Sequence, residues 1–340
     1  MNYFDKGKAL NTLGYIDLFC GIGGFRIATD RACLARGIEA ACLFSSDIDP
    51  DVQAAYAANF GESPAGDICQ VAAHAIPDHD LLLAGFPCQP FSILGQRKGF
   101  EDTRGTLFFE IARILAAKRP KAFVLENVKQ LVGHDQGQTL RHILGSLRDL
   151  GYQVDYKVLN ALEFGLPQKR ERVFIVGFAE PTGYSWPKAG LSMTPLEQIL
   201  EAQVADFYQA SSFIQANRLA KRGRVTNQPT IWHENKGGHI SAYPYSCALR
   251  AGASYNYLLV DGKRRLTERE MLRLQGFPDS YKIVGSYTAM RKLVGNSVAV
   301  PVVEAVVKAV LSALEKPEPA FIQASFSSEI FDKPSITIVG

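Results

Sequence analysis

The chain has 340 residues, enough for one large domain and a smaller one, each with its own core. With 47% hydrophobic and 21% charged residues it has the composition of a soluble globular protein, and no apolar run approaches the roughly 18 residues of a membrane span. The net charge of +3 fits nucleic-acid binding only weakly, and the polar start MNYFDKGKAL lacks the apolar centre of an export signal, so the cytoplasm is the expected compartment.

Tyr15–Phe19 reads as a short apolar strand entering a glycine-rich turn, with Phe25–Arg36 as the helix after it. Ala40–Ser45 is a second strand, ending at Asp47-Ile48-Asp49-Pro50, and a helix follows over Asp51–Asn59. Leu81–Ala84 is a buried strand, Thr106–Ala117 an amphipathic helix, Ala122–Leu125 another strand and Gln138–Leu150 another helix. Val154–Leu159 and Arg172–Phe178 complete the set. Strands alternating with helices predict an α/β fold, a mostly parallel sheet with helices on both faces. Ligands of such sheets bind at the carboxyl ends of the strands. After about Pro187 the rhythm breaks, and residues to about Tyr257 are richer in Ser, Gly, Asn and Tyr. Regular patterning returns with Thr267–Gln275 and with Pro301–Leu314, a C-terminal helix, before a tail over 316–340.

The turn Asp17–Phe25 (DLFCGIGGF) places three glycines between strand and helix, where the backbone can approach a ligand and the helix start offers free N–H groups. Its GxGG spacing differs from the GxGxxG of dinucleotide binders and favours the carboxylate of an amino-acid-like ligand. Asp47, at the end of the next strand, stands where an acid hydrogen-bonds ribose hydroxyls; the plainer reading of Asp47 and Asp49 is helix capping. Together these features favour an adenosyl cofactor.

Cys88 lies in Gly85-Phe86-Pro87-Cys88-Gln89-Pro90-Phe91-Ser92, where two prolines exclude a regular helix and predict an exposed, stiff turn. Cys33, Cys42, Cys69 and Cys247 read as core thiols. The six cysteines form no CxxC pair and have no histidine at ligand spacing, so neither a disulfide framework nor a metal is expected. The polar stretch 93–105 is either a surface loop or a lid over substrate. Basic residues cluster at Arg218–Arg224 and at Lys263, Arg264, Arg265, Arg269 and Arg273, on either side of the loop-rich segment, as phosphate contacts or solvated faces.

GFPCQPFS resembles the nucleophile motif of the C5-cytosine DNA methyltransferases. DLFCGIGGF, Glu126-Asn127-Val128, Gln168-Lys169-Arg170-Glu171-Arg172, Arg265–Gly276 and Gly295-Asn296-Ser297-Val298 resemble that family's other blocks, in its usual order. The resemblance covers about 17–178 and 263–310. It implies the Rossmann-like fold of the S-adenosylmethionine-dependent methyltransferases with a smaller, loop- and strand-rich target-recognition domain. The implied organisation is a catalytic and cofactor-binding domain over 1–186, recognition over 187–262, a hinge and return segment over 263–294, a C-terminal helix over 295–315 packed back on the catalytic domain, and the tail.

The chemistry it implies is methyl transfer from S-adenosylmethionine to carbon 5 of a cytosine in a short double-stranded site, leaving S-adenosylhomocysteine. Carbon 5 is too weak a nucleophile alone; attack of the Cys88 thiolate at carbon 6 activates it. Glu126 is placed at N3, where a carboxyl held neutral by burial could donate, and its alternative is an acid paired with a nearby arginine. Arg172 carries over as donor to the cytosine O2, and Arg170 as support for the loop or for a phosphate; surface pairing with Glu171 is the alternative for both. Phe19, Gly21, Gly23, Asp47, Ile48, Asp67, Ile68, Asn296 and Ser297 are the implied cofactor residues, with Ile48 standing where an aromatic is common. The target base must be flipped out of the duplex.

Ser92, Gln96, Arg97, Lys98 and Arg104 of the closing loop, and Lys221, Arg222, Arg224, Lys236 and Arg250 of the recognition segment, are the candidates for DNA contact. Trp232, His233 and Asn235 join them as groove readers. A monomer in a prokaryotic modification setting, with a cognate restriction endonuclease as a possible partner, is the expected context. The alternatives are a tRNA cytosine-C5 methyltransferase, a non-catalytic DNA-binding relative, and a nucleotide-dependent dehydrogenase.

Overall fold

Leu81, Leu82, Leu83 and Ala84 are all inaccessible to solvent, as a continuous apolar run must be when a strand is covered on both faces. The computed structural model describes residues 11–87, 107–222 and 228–315. Its first half runs β1 (Thr12–Leu18), α1 (Gly24–Leu34), β2 (Glu39–Ser46), α2 (Pro50–Phe60), β3 (Leu81–Gly85), α3 (Leu107–Lys118), β4 (Ala122–Val128), α4 (Gln138–Asp149) and β5 (Gln153–Asn160). The short β6 (Gln168–Lys169) and β7 (Glu171–Phe178) follow. α4 is held by Leu140, Ile143, Leu144 and Leu147, an i, i+3, i+4, i+7 stripe on the sheet.

The six-stranded sheet has the order β2-β1-β3-β4-β7-β5. β1, β2, β3 and β4 pair in parallel; β7 runs antiparallel to both β4 and β5. The order reverses at β1, which has β2 on one side and β3 on the other, so the ligand crevice opens above its carboxyl end. Because β7 is reversed, its first residues reach that same edge: Arg172 pairs with Val128, while Gly85 pairs with Glu126 and Leu18 with Ala84.

The second half contains α5 (Leu196–Ile199), α6 (Ser212–Arg222), β8 (Ile231–Glu234), β9 (Ile240–Tyr243), β10 (Ser246–Cys247), β11 (Leu258–Val260), α7 (Glu268–Leu274), α8 (Tyr287–Asn296) and α9 (Val300–Glu315). β11, β8 and β9 form an antiparallel sheet, and β10 pairs with β6. One core cluster runs from α1 and α9 through α7 and α8 to Ile231, Leu258 and Val260, so the small sheet sits on the same core as the large one. A second cluster, under α3 and α4, fills the other face.

Glu304 and Lys308 interrupt the C-terminal apolar stretch, so no uninterrupted apolar run comes near membrane-spanning length. Tyr287–Glu315 is long and apolar enough by composition, yet 61% of its most apolar window is buried inside the protein. α9 packs on α1, with Val302, Val303, Val306, Val307 and Val310 all buried, as befits a core helix. The cysteine expectation changes. Cys33 is buried and Cys42 and Cys247 partly so, but Cys69 is exposed; burial of its thiol and the neighbouring Asp67 carboxylate push it up to about 11, which keeps it protonated.

Candidate active site

The carboxyl edge of the sheet brings together candidate residues from several segments. The glycine turn after β1 comes first. Cys20 N–H donates to Ser46 O (3.0 Å), and Gly21 N–H donates to Asp47 Oδ2 (3.0 Å), tying the turn to the end of β2. Asp47 Oδ1 accepts from Asp49 N–H (3.0 Å), so this acid organises both loops. Asp49 is the cap of α2, accepting from Asp51 N–H (3.0 Å), and its other oxygen pairs with Lys292 of α8 at 2.6 Å.

No ligand accompanies the chain, but the turn fits an amino-acid-like group attached to a nucleoside. The start of α1 has no side-chain cap, leaving its first N–H groups for an anion. Gly21 adopts φ +50°, and a Cβ added there would meet nothing within 4 Å, so the backbone borders open space. Ile48 is 70% exposed beside Asp47, an apolar face with no protein cover. Phe19 is half-buried and also adopts positive φ. The Ile68 side chain is buried in the core, and Asp67 caps the short turn at Cys69 N–H (3.0 Å). Asn296 is exposed at the end of α8; Ser297, buried, abuts the turn, where a Cβ on Gly24 would lie 3.0 Å from its Oγ.

Glu126 lies two residues before the end of β4, with 8% of its surface exposed. Arg172 Nε lies 3.0 Å from its Oε1, an ion pair without hydrogen-bond alignment, since Oε1 accepts no hydrogen bond. Burial lifts the carboxyl above its ordinary value, and the Arg172 and Arg170 charges offset this only in part. Glu126 is thus paired with Arg172, and burial shifts its carboxyl toward the neutral form. Glu171, proposed as surface partner of the arginines, pairs instead with Lys129 at 2.8 Å.

Arg170 is 2% exposed, which removes a phosphate from its reach. Its guanidinium donates to Leu249 O (3.1 Å), to Gly295 O (3.3 Å) and to Ser297 O. Its donors are spent on the interior.

Cys88, with Ser92, Gln96, Arg97, Lys98, Arg104 and Arg224, lies outside the described residues. The chain leading to Cys88 is fixed by Asn127, which sequence reasoning quoted but assigned nothing. Its Nδ2 donates to Phe86 O (2.9 Å) while Oδ1 accepts from Val128 N–H (2.8 Å).

Asp17 was likewise overlooked, although an acid at an interior position of an apolar strand was a legible signal. It is fully buried, and neither oxygen has a partner. Burial, reinforced by Asp47 and Asp30, raises its carboxyl well above the ordinary range, against the opposing charge of Arg26. The sign follows from linkage: a raised folded-state value means stability is lost as pH climbs from the unfolded value toward the folded one. Asp17→Asn should therefore gain thermal stability relative to the parent as pH rises from about 4 to 8. Melting curves across that range test this, and a pH-independent difference would contradict it.

The basic residues divide sharply. Arg264 grips Glu270 through two 2.8 Å bonds, Arg273 does the same with Asp279 (2.7 and 2.8 Å), and Arg269 donates to Pro278 O and Tyr281 O. Arg265 lies over the Phe207 ring and Arg218 is buried against Glu234. All five have partners within the fold. Trp232 is core, with Nε1 donating to Thr230 Oγ1 (3.0 Å). Arg222, Lys236 and Arg250 are exposed, the last stacked 4.9 Å from the Tyr257 ring, and Lys221 sits 3.6 Å from Glu234.

A doubly wound sheet with this turn and this edge is the architecture of the S-adenosylmethionine-dependent methyltransferases. The family profile described as C-5 cytosine-specific DNA methylase matches residues 13–312. The chain is 55% identical to Type II methyltransferase M.NgoBI of Neisseria gonorrhoeae over 292 residues, 85% of this chain and 90% of that protein. It is 52% identical to Type II methyltransferase M.HaeII of Haemophilus aegyptius over 301 residues (88% and 93%) and 40% identical to M.HhaI of Haemophilus parahaemolyticus over 321 residues (88% and 94%). Among solved structures, S. pombe Dnmt2 methyltransferase superposes with a TM-score of 0.65 at 22% identity, covering 88% of this chain and 98% of that one, a likeness of fold. The chain belongs to the C-5 cytosine-specific DNA methylases and is an enzyme that methylates carbon 5 of cytosine in DNA. The dehydrogenase reading falls, and the tRNA reading is the weaker one.

Proposed function

We propose that the chain is a type II modification enzyme that takes its methyl group from S-adenosylmethionine, working on double-stranded DNA in the cytoplasm beside a restriction partner. The cofactor, when bound, supplies an electrophilic methyl group. Phe19, Gly21, Gly23, Asp47, Ile48, Asp67, Ile68, Asn296 and Ser297 would border its site, with Asp47 serving the ribose and the start of α1 the carboxylate.

Cys88 is the nucleophile. Its thiolate forms a bond to carbon 6 of the flipped cytosine, the 5,6 double-bond electrons moving toward N3 and O2. Glu126 donates a proton at N3 and Arg172 hydrogen-bonds O2, so the charge developed by the attack is met at both atoms. Once carbon 5 carries the methyl group, the N3 proton returns to Glu126, and loss of the carbon-5 proton with departure of the thiolate restores the ring. Residues 187–262 form the region that reads the target, with Lys221, Arg222, Lys236 and Arg250 supplying side chains to the DNA.

The observation that carries this reading is Glu126, a buried acid biased toward its neutral form and 3.0 Å from Arg172 at the carboxyl end of β4. The test is transfer of labelled methyl from S-adenosylmethionine to DNA and to tRNA, with Cys88→Ser beside the parent. Label in DNA that disappears in Cys88→Ser is expected; label in tRNA alone, or an unaffected variant, would overturn it.

A further inference from the structure

The segment that follows β10 is stitched to the catalytic half through one residue. Leu249 N–H donates to Gln168 Oε1 (3.0 Å), and Leu249 O accepts from Arg170 (3.1 Å). Both backbone groups of this buried residue are thus held by side chains that flank Lys169, three positions before Arg172. Next to it, Ser246 N–H donates to Pro167 O (2.8 Å), continuing the β10–β6 ladder.

The same side chains also hold the end of α8. The last carbonyls of a helix have no intrahelical partner and need one when buried. Gln275 Nε2 donates to Val294 O (2.8 Å) and Ser297 O (3.2 Å), and Arg170 takes Gly295 O and Ser297 O. Gln168 Nε2 closes the lattice on Leu274 O (2.8 Å) and Gln275 Oε1 (3.1 Å). Gln168 and Gln275 are completely inaccessible. Gly295 lets the two segments touch: a Cβ there would stand 2.5 Å from Ala251 N and 2.8 Å from Arg250 C, both backbone atoms.

We infer that Gln168, Arg170 and Gln275 are positioning residues that fix the register between the target-reading segment and the catalytic edge, and so set target discrimination. The inference rests on the reading of residues 187–262 as the region that reads DNA. Its physical basis is that three buried side chains, with nearly every polar group matched, hold Leu249 and the end of α8 as one piece, one residue before the exposed Arg250 and close to Asn296. Discrimination requires that correct base contacts and correct placement of the reacting cytosine be met together. A correct site gains from both, whereas a near-match already lacks one. Loosening the joint therefore slows the correct site more than the near-match.

Arg170→Lys keeps the charge but offers a point donor, which cannot span carbonyls from two segments. Gly295→Ala keeps every polar partner and instead wedges the Arg250–Ala251 backbone away. Each full-length variant is incubated with S-adenosylmethionine and genomic DNA, and bisulfite sequencing gives the rate at the preferred site and at sites one base pair different. The ratio of the two is taken within one reaction, so loss of folded protein cancels. It is expected to fall about tenfold or more in both variants. A ratio equal to the parent's in both, whatever the drop in rate, would mean the lattice is merely structural and overturns the inference. Amide hydrogen exchange of the parent protein, with and without duplex, separates the two levels. If duplex gives no protection over 228–262, the recognition reading falls and the joint with it; protection there with unchanged ratios removes the joint alone.

Discussion

Glu126→Gln is expected to lower the rate of methyl transfer by about a hundredfold to ten-thousandfold, the range over which a positioned proton donor acts. The amide matches the carboxyl in size and can donate a hydrogen bond to N3, but it has no proton to transfer. Packing at the end of β4 is preserved, so binding of S-adenosylhomocysteine should change little. The pH profile identifies the mechanism. Burial raises the Glu126 carboxyl, and only its protonated form donates, so parental activity is present below that raised value and is lost as pH climbs through it. Glutamine does not titrate, so this alkaline fall should vanish from single-turnover rates measured across pH. A variant that keeps both the parental rate and the parental alkaline limb would remove Glu126 from the chemistry.

The first half of the fold was legible because each βα unit announces itself. The elements read as Leu81–Ala84 and Gln138–Leu150 are observed as Leu81–Gly85 and Gln138–Asp149, since a continuous apolar run and a strict helical stripe have few alternative structures. What periodicity alone does not give is the direction of a strand, and β7 is reversed. That reversal is what brings Arg172 to Glu126; the family resemblance put both residues at the cytosine, which the pattern of residues alone did not. The second half was less readable for physical reasons. α6 buries only Arg218 and leaves Phe213 exposed, so it lacks an apolar stripe, and the strands of the small sheet are three or four residues long. The arginines misled for a related reason. A charge run in sequence looks the same whether it faces phosphate or, like Arg264 and Arg273, grips a carboxylate a few residues along the chain. Gln168 and Gln275 carry no sequence signal of burial at all, because an amide becomes an interior residue only when tertiary packing supplies its partners.

Arg172→Ala should have the second largest effect, a loss of about a hundredfold to a thousandfold in rate, as for removal of one donor from a preorganised charge-stabilising site. Two consequences combine. The cytosine O2 loses its donor as charge moves onto the ring, and Glu126 loses the nearest charge that holds its carboxyl down. The second has a definite sign. Without Arg172, burial acts on Glu126 with less opposition, so the carboxyl rises further and stays protonated to higher pH. The alkaline limb should therefore shift upward while the plateau drops, a pair of changes that simple loss of folded protein cannot produce. Arg172→Lys restores a positive charge without the planar donor set, so it should bring the limb back toward the parental position while leaving most of the rate loss in place. Arg170 stands on the other side of the same acid but spends its donors on Leu249, Gly295 and Ser297. Arg172, by contrast, donates to Glu171 O at 2.9 Å and keeps its Nε against Glu126, with 17% of its side chain open at the edge where substrate enters. One arginine is committed to the frame and the other is available to the base. A plateau that falls with no movement of the alkaline limb would break the link between Arg172 and Glu126, and with it the claim that the pair acts on the cytosine together.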